Sequence, residues 1–165
     1  MKSLICLTAM ALAVAPPVLE AAPSIPSAAF QKSREATPEE LEEGTPLSVL
    51  VRKVKAIQKD AKTKDGLPEL WATMTPTLAK ELQYFGPTFF RKNNVYMNIA
   101  TIDLTKPVKF RLRVTTPEWF IGVAYFTAKP TCAGTQCFYY KKVDGKWLEA
   151  SMDEVPAEYQ PGYKR

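Results

Sequence analysis

The spacing of apolar side chains changes once along this chain, and the change decides the class of fold. Before residue 94 the apolar residues recur every three or four positions, as on one face of an α-helix. From residue 94 onward the dominant period is two, as in β-strands. Helices therefore precede strands without alternating with them. The sequence predicts an α+β domain in which N-terminal helices pack on an antiparallel sheet of four or five strands.

Three Thr-Pro pairs mark the beginnings of helices, because threonine caps the free N–H groups of a first turn and proline there loses no hydrogen bond. The pairs are Thr37-Pro38, Thr45-Pro46 and Thr75-Pro76. The first predicts a short helix ended by Gly44, the second a long amphipathic helix ended by Asp65-Gly66, and the third a helix ended by Gly86-Pro87. A turn is expected over residues 67–74.

Strand patterns fill the second half of the chain. Residues 106–116 alternate most cleanly, and one face of this segment is wholly apolar: Val108, Phe110, Leu112 and Val114. Residues 119–129 are apolar at both sets of alternating positions, which is typical of an inner strand. Asp144-Gly145 separates the last two apolar runs and favours a tight hairpin, because its turn requires positive φ. Residues 94–104 predict a weaker strand.

The first 21 residues have the pattern of a secretory signal peptide. Lys2 supplies one positive charge, residues 4–14 form an uncharged apolar run, and Pro16 and Pro17 precede small residues. The apolar run is about half of the roughly 20 residues that span a bilayer, so no transmembrane anchor is expected. We predict an exported protein, periplasmic or secreted, with cleavage near Ala21 or Ala22.

A single folded domain is expected between two tails. Residues 22–36 are small, polar and rich in proline and are interpreted as a flexible leader, residues 37–154 as the α+β domain, and residues 155–165 as a C-terminal tail. The net charge of +5 favours anionic partners such as membrane surfaces, acidic polysaccharides or acidic proteins. Nucleic acid is not an expected partner of an exported protein.

Cleavage of the signal peptide leaves two cysteines, Cys132 and Cys137, in a loop between two predicted strands. Disulfides persist outside the cytoplasm, and pairing of the two strands would bring these residues to the Cα separation that a disulfide requires. A zinc site needs about four ligands, and the chain has no histidine. The spacing is also not the Cys-x-x-Cys of a redox pair. The sequence therefore predicts a structural disulfide and no metal.

The order of the elements, together with the closing segment KKVDGKWLEASMDE, resembles the NTF2-like, or cystatin-like cone, superfamily over residues 45–153. The resemblance implies a curved sheet that wraps around the helices, a pocket at its wide end and, in many members, a dimer through the sheet. Enzymes of the superfamily use a pocket aspartate, tyrosine or histidine as acid or base. Here histidine is absent, and no carboxylate matches residue by residue.

Aromatic residues are the candidates for the wall of such a pocket. Most of the rings are expected in the core, and four are candidate ligand-binding residues: Trp71, Tyr84, Phe85 and Tyr125. The segment 119–126 carries rings on both faces, whereas the helices are expected to cover only one face of the sheet. The other face should therefore meet a ligand or a second subunit, because large apolar patches rarely stay bare.

Charged residues provide two further candidates. Lys109, Arg111 and Arg113 form a basic stripe, which is either a solvated face that protects the strand from aggregation or a binding surface for an anionic partner. Asp103 is the only acidic residue of the first predicted strand, so it is the candidate general base. Its alternative interpretation is a turn residue before Thr105.

We expect an exported binding module without a cofactor, in one of two forms. In the first, a small apolar ligand lies in the aromatic-lined pocket. In the second, the protein is an inhibitor or immunity-type partner of another exported protein and uses its outer sheet face or the basic stripe. An NTF2-like enzyme is the third hypothesis, and it requires Asp103 to lie in a pocket beside a tyrosine.

Overall fold

The structure is a computed structural model that describes residues 30–63, 66–92, 96, 99–126 and 135–160. The helices are α1 (Ser48–Thr63), α2 (Leu67–Trp71), α3 (Pro76–Tyr84) and α4 (Gly86–Lys92), with a short 3-10 helix at Glu39–Leu41 before them. The strands are β1 (Arg34–Glu35), β2 (Val108–Thr115), β3 (Trp119–Phe126), β4 (Thr135–Val143) and β5 (Lys146–Glu149). The predicted signal peptide and Cys132 lie outside the described residues.

The strands form one antiparallel sheet with the order β1-β2-β3-β4-β5. The helices pack against one face of this sheet, the inner face, and the shared core joins α1 to β2, β3 and β4. The α+β class and the five-stranded antiparallel sheet are thus confirmed. The sheet is uncurled, so the curvature that the resemblance implies is not seen. Arg34 and Glu35, from the segment interpreted as a leader, pair with Phe110 and Lys109.

The Thr-Pro pairs begin helical segments as the sequence predicts. Thr37 N–H donates to Glu40 Oε2 at 3.0 Å, and Glu40 N–H donates back to Thr37 Oγ1 at 3.4 Å, which is a capping box. At α3, Leu78 N–H donates to Thr75 Oγ1 at 3.3 Å. The long amphipathic helix and the Asp144-Gly145 hairpin are also confirmed, with φ of +49° at Asp144 and +78° at Gly145.

The region between α1 and β2 is more helical than the sequence predicts. Residues 67–71 form α2 instead of a turn, and a second helix follows α3 because Gly86, at φ +70°, turns the chain and begins α4. The strand predicted over residues 94–104 is wrong, since Tyr96 and Ile99 are helical. The buried residues Tyr96, Ile99 and Ile102 lie three positions apart, which is the spacing of a helix and not of a strand.

A β-bulge at Arg113 changes the face on which Val114 lies. Leu112 pairs with Gly122 but Val114 pairs with Ile121, so Arg113 is the extra residue of β2. The prediction that Val114 shares a face with Leu112 is wrong, because the bulge exchanges the faces beyond it. Val114 instead joins a small core on the outer face of the sheet.

This outer core is covered by the C-terminal part of the chain itself. Trp119 and Ile121 of β3 pack with Ala150 and Val155, which are only 2% and 3% exposed. Arg113 Nη2 donates to the carbonyl oxygen of Gln160 at 2.8 Å and fixes the end of this segment. Part of the outer face that was expected to meet a ligand or a second subunit is therefore covered within the chain.

Gly122 allows β2 and β4 to pack closely against β3, and its substitution tests this packing. A Cβ atom there would lie 2.3 Å from the Arg111 carbonyl oxygen and 2.7 Å from the Phe138 ring. We expect Gly122→Ala to lower the free energy of unfolding by about 1–3 kcal/mol in urea denaturation. The control Thr115→Ala, at an exposed position of β2, should stay within about 0.5 kcal/mol. An unchanged midpoint for Gly122→Ala would contradict the close approach.

Candidate functional site

An apolar cavity of about 300 Å³ lies between the helices and β4. The helices α1 to α4 contribute the apolar side chains Ile57, Leu70, Leu82, Phe89 and Phe90 to its wall. Met74, Tyr96 and Ile99, from the connecting segments, complete the apolar wall. Two polar side chains, Lys53 and Gln136, also line it. The cavity is therefore built mainly from aliphatic and aromatic groups.

Close contact between α1 and α2 sets one side of the cavity. Gly66 is buried, and a Cβ atom there would lie 1.9 Å from the Ala56 carbonyl oxygen. Glycine therefore allows α2 to begin directly against α1. This contact brings Leu70 to the same wall as Ile57, and both side chains are 1% exposed.

Aromatic contacts set the opposite side. Phe90 makes edge-to-face contacts with Trp71 and with Tyr96, with ring centroids 5.2 and 5.7 Å apart. Phe89, next to it on α4, stacks on Phe85 with centroids 5.0 Å apart. Such pairs add about 0.5–1.5 kcal/mol each beyond the burial of their area. Phe90 is thus the centre of the aromatic wall, and Phe89 forms its solvent side.

A buried carboxylate holds this wall in place. Asp60 of α1 is 1% exposed, and its Oδ1 pairs with Arg91 Nη2 at 3.1 Å. Its Oδ2 accepts a hydrogen bond from the Tyr96 hydroxyl at 2.8 Å. Burial and the hydrogen bond to Asp60 raise the pKa of Tyr96 far above its ordinary value. Tyr96 therefore stays protonated at neutral pH and acts as a donor that joins its segment to α1.

A second ion pair lies beside the cavity. Lys53 Nζ is 2.7 Å from Glu149 Oε1, and the two side chains are 17% and 13% exposed. This pair joins α1 to β5, and Lys53 also lines the cavity. The other carboxylate oxygen, Glu149 Oε2, is buried and has no hydrogen-bond partner among the described residues. The cavity therefore has a compensated charge near its wall and a mainly apolar interior.

The four aromatic residues chosen from the sequence do not line this cavity together. Trp71 is half-buried and supports Phe90 from outside the cavity wall. Tyr84 and Phe85 are 88% and 54% exposed. Tyr125 pairs with Lys109 and lies on the outer face, across the sheet from the helices. The four residues therefore lie in three different places. Trp71 contacts the cavity wall from behind, Tyr84 and Phe85 are exposed, and Tyr125 lies on the other face of the sheet.

Contacts within the chain occupy all three side chains of the basic stripe. Lys109 pairs with Glu35 at 3.6 Å. The Arg111 guanidinium lies over the Phe30 ring at 5.3 Å, while Arg113 bonds to the segment after β5. The basic stripe thus connects both ends of the described chain to the sheet. The bulge at Arg113 interrupts the regular alternation of its side chains between the two faces of β2.

Asp103 is an exposed turn residue. Its Oδ1 accepts hydrogen bonds from Thr105 Oγ1 at 2.6 Å and from Thr105 N–H at 2.9 Å. These bonds lower the pKa of Asp103 below its ordinary value. The turn interpretation is confirmed, and the requirement for Asp103 in a pocket beside a tyrosine is not met.

The cysteine hypothesis stays a prediction. Cys137 lies on the exposed outer face of β4, opposite Val123. Its proposed partner Cys132 falls outside the described residues.

Sequence reasoning missed Asp60, Lys53 and Gln136. The sequence does indicate Asp60, because this residue lies three positions after Ile57 and therefore close to the apolar face of α1. Lys53 also precedes Ile57 by one helical turn. Gln136 gave no such signal, since a polar residue at the start of a strand is common.

The chain matches no protein-family model, no curated protein and no solved structure. Within residues 30–160, as far as they are described, no helix is long and apolar enough to cross a membrane. The same residues hold no group of three or more His, Cys, Asp or Glu side chains placed to bind a metal ion.

Removal of the buried carboxylate should weaken the wall of the cavity. Asp60→Ala leaves Arg91 and Tyr96 without their shared partner, and we expect a loss of about 3 kcal/mol in urea denaturation, because Arg91 keeps some contact with water. Tyr96→Phe should lose about 1–2 kcal/mol. Glu69→Ala, which breaks the exposed Lys59–Glu69 pair, is the control and should lose less than about 1 kcal/mol. Equal losses for Asp60→Ala and Glu69→Ala would contradict this role.

Alkaline titration should distinguish buried tyrosines with a raised pKa from the other tyrosines of the chain. Burial raises the pKa of Tyr96 and of Tyr140 well above the ordinary value. Because the folded pKa is the higher one, their contribution to stability is complete below about pH 10 and falls as the pH rises further. We expect the tyrosinate absorbance of the native protein to fall short of that of the urea-unfolded protein near pH 10. Identical titration curves for the two states would contradict the burial.

Proposed function

We propose that the protein is an exported, non-catalytic binding module that holds a small apolar ligand in the cavity between its helices and its sheet. The observation that carries the proposal is the cavity of about 300 Å³ with its eight apolar lining residues. Ligand pockets commonly measure about 300–1,000 Å³ and are mainly apolar, with a few polar groups. The cavity has this composition and lies at the small end of the range.

The size of the cavity limits the ligand. An engineered apolar cavity of about 150 Å³ accepts benzene, and this cavity has about twice that volume. A fused or linked pair of rings, or a short branched chain, matches this space. Lys53 and Gln136 offer polar contacts at the wall, so a ligand with an apolar body and one polar group fits best.

Binding is favoured over catalysis by the position of the ionisable groups. Asp103, the candidate general base, lies in an exposed turn, and Tyr96 at the cavity wall keeps its proton. The chain also has no histidine. Neither Asp103 nor Tyr96 is therefore placed to take a proton from a substrate in the cavity.

Membership of the NTF2-like superfamily is part of the proposal and is supported by helices that pack on one face of an antiparallel sheet with an Asp144-Gly145 closing hairpin. Export is supported by the signal-peptide pattern of residues 1–21. Partner binding through the basic stripe has less support, because contacts within the chain already engage its three side chains.

An uncharged fluorescent probe tests the cavity. N-phenyl-1-naphthylamine consists of two linked, apolar aromatic ring systems. Its fluorescence emission should rise when it binds the wild-type protein. Leu82→Trp places an aromatic ring system at the cavity wall and should weaken probe binding at least about tenfold, because the added atoms occupy part of the space that the probe needs.

The matched control is Leu78→Trp. Leu78 is also half-buried on α3, one turn before Leu82, but does not line the cavity. This variant should keep wild-type probe affinity. Equal affinities for Leu82→Trp and the wild type, or an equal loss in both variants, would contradict binding in this cavity.

A further inference from the structure

Three exposed aromatic side chains form a continuous ridge, the aromatic ridge, where α3 meets α4. Tyr84, Phe85 and Phe89 are 88%, 54% and 43% exposed. The rings of Tyr84 and Phe85 have centroids 5.8 Å apart, and Phe89 stacks on Phe85. Contiguous apolar surface of this kind marks an interaction site more often than scattered single residues do.

The backbone between α3 and α4 keeps the rings of the aromatic ridge exposed to solvent. Helix α3 ends at Tyr84, and Gly86 at φ +70° turns the chain so that α4 begins without a linker. Glycine adopts this left-handed conformation without strain. The ion pair between Arg91 and Asp60 then fixes α4 to the core. The aromatic ridge is thus an exposed surface on a fixed helix.

We infer that the aromatic ridge docks on the surface of an anionic lipid bilayer. Aromatic side chains with an apolar body and a polar end, such as Tyr84, favour the region of the lipid headgroups. Phenyl rings beside them gain by leaving water for the acyl boundary. Exposed rings in contact with one another suit a deformable lipid surface, which adapts to their shape.

The charges beside the aromatic ridge complement anionic headgroups. Lys80 lies four residues before Tyr84, and Lys92 lies three residues after Phe89, so each lysine shares a helix side with a ring. Both lysines are exposed, and neither forms an ion pair with another described residue. Glu81 is the one acidic residue of α3 and α4. Lysines near anionic lipids add to the attraction of a protein whose net charge is +5.

A second copy of the chain fits the aromatic ridge less well. In a symmetric dimer each ridge would face the same ridge of its partner. Such an interface brings the lysines that flank one ridge, Lys80 and Lys92, close to the same lysines of the other copy. Like charges that meet across an interface oppose association.

The aromatic ridge is continuous with the cavity. Phe89 belongs to the ridge and also lines the cavity, and Leu82 lines it from the helix that ends in Tyr84. Docking therefore places the solvent side of the cavity against the bilayer, where apolar molecules are concentrated. This last step, that the ligand is a membrane-soluble compound, rests on the proposed function, whereas the docking does not.

Vesicle flotation tests the docking. The signal-free chain is mixed with vesicles of phosphatidylcholine alone or of phosphatidylcholine with phosphatidylglycerol, and the bound fraction is measured at low and at high salt. We expect binding to the anionic vesicles that weakens as salt rises. The double variant Tyr84→Ser/Phe85→Ser should bind at least about tenfold more weakly, because two rings no longer leave water.

Two variants complete the design. Lys80→Glu/Lys92→Glu should lose binding to anionic vesicles, because it reverses the flanking charges. Phe30→Ser is the matched control, since Phe30 is an aromatic residue that is 41% exposed but lies over Arg111, away from the aromatic ridge. It should bind vesicles as the wild type does.

The inference is overturned if the wild-type protein ignores anionic vesicles, or if Tyr84→Ser/Phe85→Ser binds them as tightly as Phe30→Ser does. It is also overturned if sedimentation without lipid shows a dimer that the Tyr84→Ser/Phe85→Ser variant dissociates. Failure of the proposed function is distinguishable, because neither Tyr84 nor Phe85 lines the cavity. Docking without cavity binding appears as vesicle binding by a protein that does not bind the naphthylamine probe.

Discussion

The buried carboxylate of Asp60 is the interaction on which the helical layer depends. It joins α1 to Arg91 at the end of α4 and to Tyr96 beyond it, across sequence separations of 31 and 36 residues. Helix α4, which the pair between Asp60 and Arg91 holds against α1, places Phe89 and Phe90 at the cavity wall. Removal of Asp60 takes away the oxygen that accepts the hydrogen bond of the buried Tyr96 hydroxyl, and an unsatisfied buried donor is costly. The position of the wall therefore depends on one side chain that contributes no surface to the cavity.

The sequence predicts the parts of the fold that local interactions determine. Thr37 and Thr75 cap their helices through bonds to residues three positions away, and Asp144-Gly145 turns the chain by its own φ preferences. The bulge at Arg113 could not be predicted, because it depends on which residues of β3 face β2. The hydrogen bond between the Tyr96 hydroxyl and Asp60 could not be predicted either, because the two residues are 36 positions apart.

Part of the candidate site follows from the sequence in the same way. The aromatic character of the cavity is evident from the composition around residues 84–96, but the side of the chain to which each ring points is not. Phe89 and Phe90 are successive residues on a short helix, about 100° apart around its axis. One is 43% exposed and the other 7%. A single pair of neighbouring phenylalanines thus provides a surface residue and a core residue.

The segment after β5 has a consequence for the order in which the protein reaches its native state. Ala150 and Val155 cover Trp119 and Ile121, and both come after β5, the last strand of the sheet in chain order. During synthesis the strands of the sheet emerge before the segment that covers their outer side. Trp119 and Ile121 stay in contact with water until Ala150 and Val155 pack on them. Folding of this domain is therefore completed only after the segment that follows β5 has joined the sheet.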